Sequence, residues 1–150
     1  MLFCDWETER MSLAEPKAVI HFAQDDLFVG ITPSHHALTL DTDHERGSAP
    51  TPMELLLVAL GSCTAVDVIS ILKKKREQVS AYRVEVRGER RAEHPRSYSR
   101  MEVHHIVTGR EISEKAVSQA IELSETKYCS VAATLRPTAE IVSTFEIIEA

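Results

Sequence analysis

The chain has 150 residues, of which 43% are hydrophobic and 27% charged, and its 17 Lys and Arg against 23 Asp and Glu give a formal net charge of −6. This balance is typical of one soluble domain that is long enough to bury a core without a disulfide framework. An acidic chain with 5% aromatic residues lacks the basic surface that nucleic acids require, so we exclude that class of partner.

Neither a membrane span nor a targeting signal is expected. The longest uninterrupted apolar runs, 55–60 and 131–133, fall far short of the roughly 20 residues that cross a bilayer. The opening residues MLFCDWETER are acidic and lack the regions of a signal peptide, which favours the cytoplasm. Residues 1–16 show no period and are interpreted as a loose leader, followed by one domain at 17–150.

The first third of that domain predicts a small antiparallel meander. Apolar and β-branched residues fill 18–22 and 27–32, on either side of a polar turn at 24–26. A third apolar run covers 37–40, and the polar segment 41–50 then predicts a loop.

The strongest helix signal follows this loop. Thr51, Pro52 and Glu54 form a capping box with proline at the first helical position, so the helix begins at Pro52. Its apolar pattern continues to about Glu77, which gives a length of about 39 Å. The basic run 73–76 complements the helix dipole and is interpreted as a solvated end.

Strands and a second helix fill the rest of the chain. Alternating apolar and polar residues predict strands at 82–90 and 98–108, each with one solvent-exposed face. Ser113 caps a second helix that continues to about Lys127, and 139–147 predicts a final strand. The order β-β-β-α-β-β-α-β with antiparallel hairpins indicates an α+β fold.

The first half of the long helix, at 55–60, is apolar around its whole circumference and needs cover on all sides. A sheet covers one side, and the second helix, of about 15 residues, covers only part of the remainder. We therefore expect an obligate homodimer in which a twofold-related copy of the long helix completes the cover. The alternative is a monomer with this helix between the sheet and the second helix.

Two of the three cysteines lie near the helices. Cys63 falls inside the first helix and Cys129 just after the second, 129 − 63 = 66 residues later. Both could pack as small buried hydrophobes. Alternatively, because a thiolate oxidised by peroxide becomes a sulfenic acid that a second thiol converts to a disulfide, Cys63 and Cys129 are candidates for such a pair.

The sequence predicts no metal site and no other cofactor. Neither of these two cysteines belongs to a C-x-x-C pair or to a His/Cys spacing typical of zinc. His35 with His36, and His104 with His105, are adjacent pairs, and neighbouring side chains on a strand point to opposite faces. Each pair therefore offers one ligand, and no H-E-x-x-H motif is present.

Two spaced motifs resemble the OsmC/Ohr family, in particular its OsmC-like branch. The first contains PMELLL and ALGSCTA within 52–65, and the second contains IELS and KYCSV within 121–131. Further similarity lies in DVISILKK at 67–74, in ER at 89–90 and in EHP at 93–95. The resemblance covers about residues 18–147 and implies an OsmC-like fold, with antiparallel bent sheets around long central helices in an intertwined homodimer.

The resemblance also implies a cysteine-based hydroperoxide reductase, with Cys63 as the peroxidatic and Cys129 as the resolving cysteine at the subunit interface. In characterised branches an Arg of the N-terminal meander and a Glu early in the long helix assist the thiol. The position of that Glu is Met53 here. Glu54 lies nine residues before Cys63, which places it on the opposite side of the helix, and a capping role explains it better. Arg46 is the candidate for the Arg, although it is also explained as a solvated loop residue.

Asp67 is the one acid inside the apolar part of the long helix, four residues beyond Cys63 on the same face. We hypothesise that Asp67 replaces the helper carboxylate as a proton donor or acceptor. The alternative is a hydrogen bond that serves packing.

Together these features predict a cytoplasmic thiol peroxidase that reduces organic hydroperoxides in oxidative stress defence, with an external thiol as reductant. An apolar lining favours an apolar hydroperoxide over hydrogen peroxide, and its candidate residues are Leu56, Ala59, Leu60 and Val66. The alternative is a non-catalytic protein that binds a small apolar ligand at the dimer interface.

Overall fold

The computed structural model describes residues 16–150, which form two compact units. The first ends at Pro52, and the second comprises residues 53–150. Apart from Pro16, the expected leader lies outside the described residues, so its role stays a prediction.

The N-terminal unit is a three-stranded antiparallel meander, as predicted. Its strands β1 (Val19–Gln24), β2 (Leu27–Ile31) and β3 (Ala37–Asp41) pair in chain order. Asp25 and Asp26 form the tight turn between β1 and β2, with φ values of 45° and 64°. Aspartate is among the few residues that adopt this left-handed conformation readily, which explains the sharp reversal.

The long helix α1 (Pro52–Lys74) begins at the predicted proline and ends three residues before the expected Glu77. The chain reverses immediately afterwards, where Arg76 has a φ of 63°. The basic run 73–76 is therefore shared between the last turn of the helix and this reversal, and its side chains are exposed.

The sheet of the second unit has the order β4 (Gln78–Arg90), β5 (Tyr98–Arg110), β6 (Glu140–Glu149). β4 and β5 form a long antiparallel hairpin, whereas β5 and β6 are parallel. The α+β class is confirmed, but the prediction of antiparallel pairing is wrong for β5 and β6. A helical crossover returns the chain to the same end of the sheet, so the two strands run in the same direction.

This crossover begins as predicted. Helix α2 (Glu114–Leu123) follows Ser113, whose hydroxyl accepts a hydrogen bond from the backbone N–H of Ala116. Continuation of the same helix to Lys127 is wrong, because α2 gives way to a π-helical turn (Ser124–Tyr128) and then to the short helix α3 (Ser130–Leu135).

Two apolar clusters hold the helices against the sheet. The cluster near the start of α1 contains Leu60, Tyr98, Met101, Val103, Cys129, Ala132 and Ala139. The cluster near its end contains Val68, Leu72, Val107, Ala116, Val117, Ala120 and Ile121. The residues of α1 between Leu60 and Val68 therefore lie where the two clusters meet.

By length and composition alone, α1 could cross a membrane, because its most apolar stretch has a mean hydropathy of 2.2. The sequence prediction considered uninterrupted apolar runs, and the small polar residues of α1 interrupt its run without making the helix hydrophilic. The packing of Leu60, Val68 and Leu72 in the two clusters identifies α1 as a core helix. Its outer side stays open, and Val58 and Val66 are 63% and 66% exposed.

Candidate functional site

The structure brings Cys63, Asp67 and Cys129 together. Their two Sγ atoms and a carboxylate oxygen all lie within 4.8 Å of one another. Cys63 and Asp67 are one helical turn apart on α1, and Cys129 comes from the junction between the π-helical turn and α3. Three of the candidate residues thus form one site, although their segments are distant in the sequence.

The π-helical turn determines the position of Cys129. The backbone N–H of Cys129 donates a hydrogen bond to Ser124 O, five residues earlier, at 2.8 Å. The backbone of Cys129 is extended, and its Sγ accepts a hydrogen bond from the Ala132 N–H at 3.3 Å. Cys129 therefore ends one helical segment and caps the next, which fixes its thiol at the site.

The two thiols differ in their environment. Cys129 is 4% exposed, whereas Cys63 is half-buried. Removal from water raises the pKa of Cys129 to about 11, with further contributions from the Cys63 thiol and the Asp67 carboxylate and an opposing one from the Ala132 N–H. Cys129 is consequently protonated at neutral pH, and Cys63 is the thiol that a solute can reach.

A chain of buried hydroxyl groups holds Asp67. Ser124 Oγ donates a hydrogen bond to Asp67 Oδ2 at 2.9 Å. Because a hydroxyl has one proton, Thr64 Oγ1 is the donor of the 3.0 Å bond to Ser124 Oγ. The side chain of Asp67 therefore has a defined orientation beside the thiols, while its role in proton transfer stays a prediction.

Sequence reasoning missed Thr64 and Ser124 as site residues. Both are almost completely buried polar residues that lie where the two apolar clusters meet. Ser124 ends the apolar face of α2, and Thr64 lies next to Cys63 in the sequence. Small polar residues at positions where the helical pattern expects an apolar one were the available signal.

Arg46 belongs to a polar cluster in the N-terminal unit. Its Nε and one terminal nitrogen donate to the two carboxylate oxygens of Asp41 at 2.9 and 2.8 Å, and that terminal nitrogen also donates to Asp25 O at 2.5 Å. The Asp41 side chain is completely buried, and the hydrogen bonds from Arg46 and Ser48 hold its pKa well below the usual range. The positive charge of Arg46 is thus compensated locally, and its assistance to Cys63 stays a prediction.

Glu54 lies on the outer side of α1. It is exposed and stands in the same four-residue row as Val58, Ser62 and Val66, which are exposed as well. Cys63 lies off this row, in agreement with the orientation expected from the helical angle. Any role of Glu54 at the thiol, or in the capping box, stays a prediction.

A cavity of about 360 Å³ adjoins the apolar cluster that contains Cys129. It is lined by Met53, Leu56, Arg90, His94, Pro95, Arg96, Ser97, Tyr98, Leu135, Thr138 and Ala139. Of the four predicted lining residues, Leu56 contributes to this cavity, and Ala59 is not among its lining residues. Leu60 is instead 1% exposed in the core and Val66 is 66% exposed on the surface, so neither lines it.

The adjacent histidines His104 and His105 occupy opposite faces of β5, as expected. His104 is partly exposed, and its Nδ1 lies 2.8 Å from the Thr144 hydroxyl. His105 is completely buried, with Nδ1 at 2.6 Å from the Tyr82 hydroxyl and Nε2 without a partner among residues 16–150. Burial lowers the pKa of His105 to about 4, so this imidazole is neutral at physiological pH.

Residues 44–144 match the family model described as OsmC-like protein. Protein YhfA of Escherichia coli K12 is 42% identical over 123 residues, which are 82% of this chain and 91% of that protein. A hypothetical protein from Aquifex aeolicus VF5 has a crystal structure with a TM-score of 0.81 at 34% identity, covering 91% of this chain and 98% of that one.

A third similarity extends the same fold to a protein with a functional name. The crystal structure of an organic hydroperoxide resistance protein OsmC from Legionella pneumophila has a TM-score of 0.67, covering 90% of this chain and 98% of that one. At 13% identity this likeness shows the fold alone. The family match over 44–144 and the extensive identity to YhfA show that the chain belongs to the OsmC-like protein family.

Proposed function

We propose that this protein is a thiol-dependent peroxidase that reduces organic hydroperoxides through Cys63 and Cys129. The observation that carries the proposal is the placement of two thiols of unequal exposure within 4.8 Å of each other and of Asp67. The name of the Legionella pneumophila protein, which shares the fold, supports the class of substrate.

Cys63 is the nucleophile in this proposal. Its thiolate attacks the terminal oxygen of the hydroperoxide, an S–O bond forms as the O–O bond breaks, and the alkoxide takes up a proton and leaves as an alcohol. Asp67, with a carboxylate oxygen within 4.8 Å of the Cys63 sulfur, is the group proposed to accept the thiol proton before the attack and to return it to the leaving oxygen. The hydrogen bond from Ser124 keeps the carboxylate oriented for both transfers.

Cys129 resolves the sulfenic acid that results. Its sulfur attacks the sulfur of Cys63, the disulfide forms, and the hydroxide combines with the Cys129 proton and leaves as water. The sulfurs, which lie within 4.8 Å, then approach to the disulfide bond length of about 2.05 Å. Two thiol groups of an external reductant supply the electrons that restore both cysteines.

The cavity beside Met53 and Leu56 supports an apolar substrate. It shares Tyr98 and Ala139 with the cluster in which Cys129 is buried, and Cys63 packs against that cluster. An alkyl or aryl hydroperoxide can bury its apolar surface in this cavity, away from water, whereas hydrogen peroxide has no apolar surface to bury. We therefore expect faster turnover of cumene hydroperoxide than of hydrogen peroxide.

The proposal includes a homodimer that forms through the outer side of α1. Val58 and Val66 are exposed in one row of this helix, and 28% of the most apolar stretch of α1 is buried within the single chain. A second copy of α1 that packs across this row would cover both side chains. By analytical ultracentrifugation, Val58→Glu combined with Val66→Glu should give monomers, whereas Ile148→Glu on β6, also at an exposed position, should leave the dimer intact. A wild-type monomer at micromolar concentration contradicts this part of the proposal.

One equivalent of cumene hydroperoxide, added to the fully reduced protein without oxygen, tests the chemistry. Mass spectrometry should show the loss of two hydrogen atoms and a cross-linked peptide that contains Cys63 and Cys129. In Cys129→Ser the reaction should stop at a sulfenic acid on Cys63 that dimedone traps, and in Cys63→Ser it should not start. Cys4→Ser serves as the matched control and should react as the wild type does. A Cys63 thiol that survives the equivalent of peroxide contradicts the proposal.

A second function, binding of a small apolar ligand without catalysis, is favoured by the same cavity of about 360 Å³. Native mass spectrometry of the freshly purified protein distinguishes the two. A retained small molecule together with a Cys63 that does not react with hydroperoxide supports the binding protein, and disulfide formation in the peroxide experiment supports the enzyme.

A further inference from the structure

The two thiols and the carboxylate have the composition of a metal site. Sulfur and oxygen ligands bind zinc at about 2.3 and 2.0–2.2 Å, which separates neighbouring ligand atoms of a tetrahedral site by about 3.5–3.8 Å. The ligand atoms of Cys63, Asp67 and Cys129 lie within 4.8 Å of one another. The ligand atoms are therefore at most about 1.3 Å farther apart than in a tetrahedral zinc site, a difference of the size that side-chain movements cover.

The surrounding structure holds these ligands as zinc sites require. Cys63 and Asp67 are separated by four residues on one helix, the same separation that places two ligands on one metal in helical zinc motifs. Cys129 is fixed by the hydrogen bond from the Ala132 N–H, and Asp67 by the one from Ser124. Hydrogen bonds of this kind orient the ligands of a metal and raise its affinity.

We propose that the reduced protein binds one Zn²⁺ per chain through Cys63, Asp67 and Cys129. Two S–H protons leave to solvent as two Zn–S bonds form, and water occupies the fourth position. The half-buried Cys63 and Asp67 give the ion a route from solvent to the buried Cys129. This inference does not depend on peroxide chemistry, and it departs from the prediction of no metal, which considered spacing along the sequence.

Charge supports a cation at this position. Among residues 53–150 no lysine, arginine or histidine forms an ion pair with Asp67. A divalent cation compensates the charge of the Asp67 carboxylate and of the thiolates that form as the ion binds. Zinc and other ions that favour thiolates are selected over Mg²⁺ and Ca²⁺, which take oxygen ligands.

Zinc and the disulfide exclude each other, because a disulfide offers no thiolate to the ion. One consequence rests on the proposed peroxidase function: bound zinc and hydroperoxide compete for Cys63, and oxidation of the metal-free protein to the disulfide draws the ion off. A pulse of organic hydroperoxide would then be accompanied by one equivalent of free Zn²⁺ per chain.

Competition with a chromogenic zinc chelator tests the site on the full chain, reduced with a phosphine and kept without oxygen. One Zn²⁺ should bind per chain, and Cys63→Ser and Cys129→Ser should each weaken binding at least tenfold, with a smaller loss in Asp67→Asn. Cys4→Ser and Asp43→Asn remove the same chemical groups elsewhere and should leave the affinity unchanged.

Cobalt provides a readout that needs no variant. Co²⁺ added to the reduced wild-type protein should give sulfur-to-cobalt charge-transfer absorption and the visible bands of a tetrahedral ion, and the disulfide form should give neither. Substoichiometric zinc binding, or an affinity that both cysteine variants leave unchanged, overturns the inference. Zinc binding by a protein that is inert to cumene hydroperoxide retains this site and rejects only the peroxidase, whereas peroxidase activity without zinc binding rejects only the site.

Discussion

Asp41 in the N-terminal unit and Asp67 in the second unit carry the same side chain into opposite surroundings. Asp41 accepts five hydrogen bonds of 2.6–3.0 Å, which come from Arg46, from the backbone and hydroxyl of Ser48, and from the backbone of Asp43. Asp67 accepts a hydrogen bond from Ser124 and lies beside two thiols, with no ion pair among residues 53–150.

Asp41 has the surroundings of a carboxylate that stabilises the fold, and Asp67 those of a carboxylate that can take part in a reaction. A carboxylate whose two oxygens are occupied by a guanidinium and by fixed donors cannot take a proton or a ligand without breaking those bonds. The lowered pKa of Asp41 expresses this, because the folded chain stabilises its ionised form. Asp67 retains the capacity to accept a proton or to bind an ion, and it lies beside the thiols of Cys63 and Cys129. The same substitution should therefore act on stability at Asp41 and on chemistry at Asp67.

The largest expected effect is that of Asp67→Asn on the oxidation of Cys63. An amide cannot relay a proton between the thiol and the leaving oxygen, and loss of a general acid–base lowers rates by roughly 10²-fold or more. Quenched-flow oxidation by cumene hydroperoxide, followed by mass spectrometry, measures this rate. An unchanged rate would assign Asp67 to packing and remove the contrast with Asp41.

Asp41→Asn is the matched control for that substitution. It should leave the rate per folded molecule near the wild-type value and lower the stability of the N-terminal unit, measured by amide hydrogen exchange in β2 and β3. Because the folded-state pKa of Asp41 lies below its unfolded value, its contribution is complete above about pH 4 and is lost as the pH falls further. Asp41→Asn should thus remove part of the acid sensitivity of this unit, and equal acid sensitivity in both proteins contradicts the assignment.

His105 is a buried polar residue that we expect to affect stability rather than the reaction. Its Nε2 is without a partner among the described residues, yet nothing in the proposed reaction uses it. Since its pKa is about 4 when folded and about 6.5 when unfolded, the unfolded chain binds more protons between these values. Stability should therefore be complete above about pH 6.5 and fall by at most about 3 kcal/mol as the pH decreases to 4.

Urea unfolding at a series of pH values tests this contribution. His105→Leu should flatten the dependence of the unfolding free energy on pH between 6.5 and 4, whereas His104→Leu, on the exposed face of the same strand, should preserve it. A wild-type slope in His105→Leu would show that other groups produce the acid sensitivity, and a loss of peroxidase activity in that variant would bring His105 into the chemistry.

Much of the fold follows from local signals in the sequence. Pro52 starts α1 and Ser113 caps α2 because both depend on backbone chemistry within one turn. The parallel pairing of β5 and β6 does not follow, since it depends on how three helical segments carry the chain across the sheet. The π-helical turn before Cys129 could not be predicted from the sequence either. The hydrogen bond from the Cys129 N–H to Ser124 O competes with an ordinary α-helical bond only in the packed protein.

The reactive residues of the candidate site could be predicted from the sequence, whereas the residues that hold Asp67 in position could not. Cys63, Cys129 and Asp67 stand out as reactive residue types in apolar surroundings, and the family resemblance pairs the two cysteines. The roles of Thr64 and Ser124 arise from a contact between α1 and the end of α2 that no local pattern encodes. The ion pair of Arg46 with Asp41 likewise depends on how a loop folds back onto β3.

The smallest expected effect concerns the hydroxyl chain that supports Asp67. Ser124→Ala removes the hydrogen bond to the carboxylate and leaves the buried Thr64 hydroxyl without its acceptor, which should cost about 1–3 kcal/mol of unfolding free energy. The freed carboxylate should also slow the oxidation of Cys63, by less than Asp67→Asn does. Ser118→Ala, at an exposed position on α2, should change neither quantity. If Ser124→Ala lowers stability while the oxidation rate stays at the wild-type value, the hydrogen bond serves the fold alone, and Asp67 becomes a second structural aspartate like Asp41.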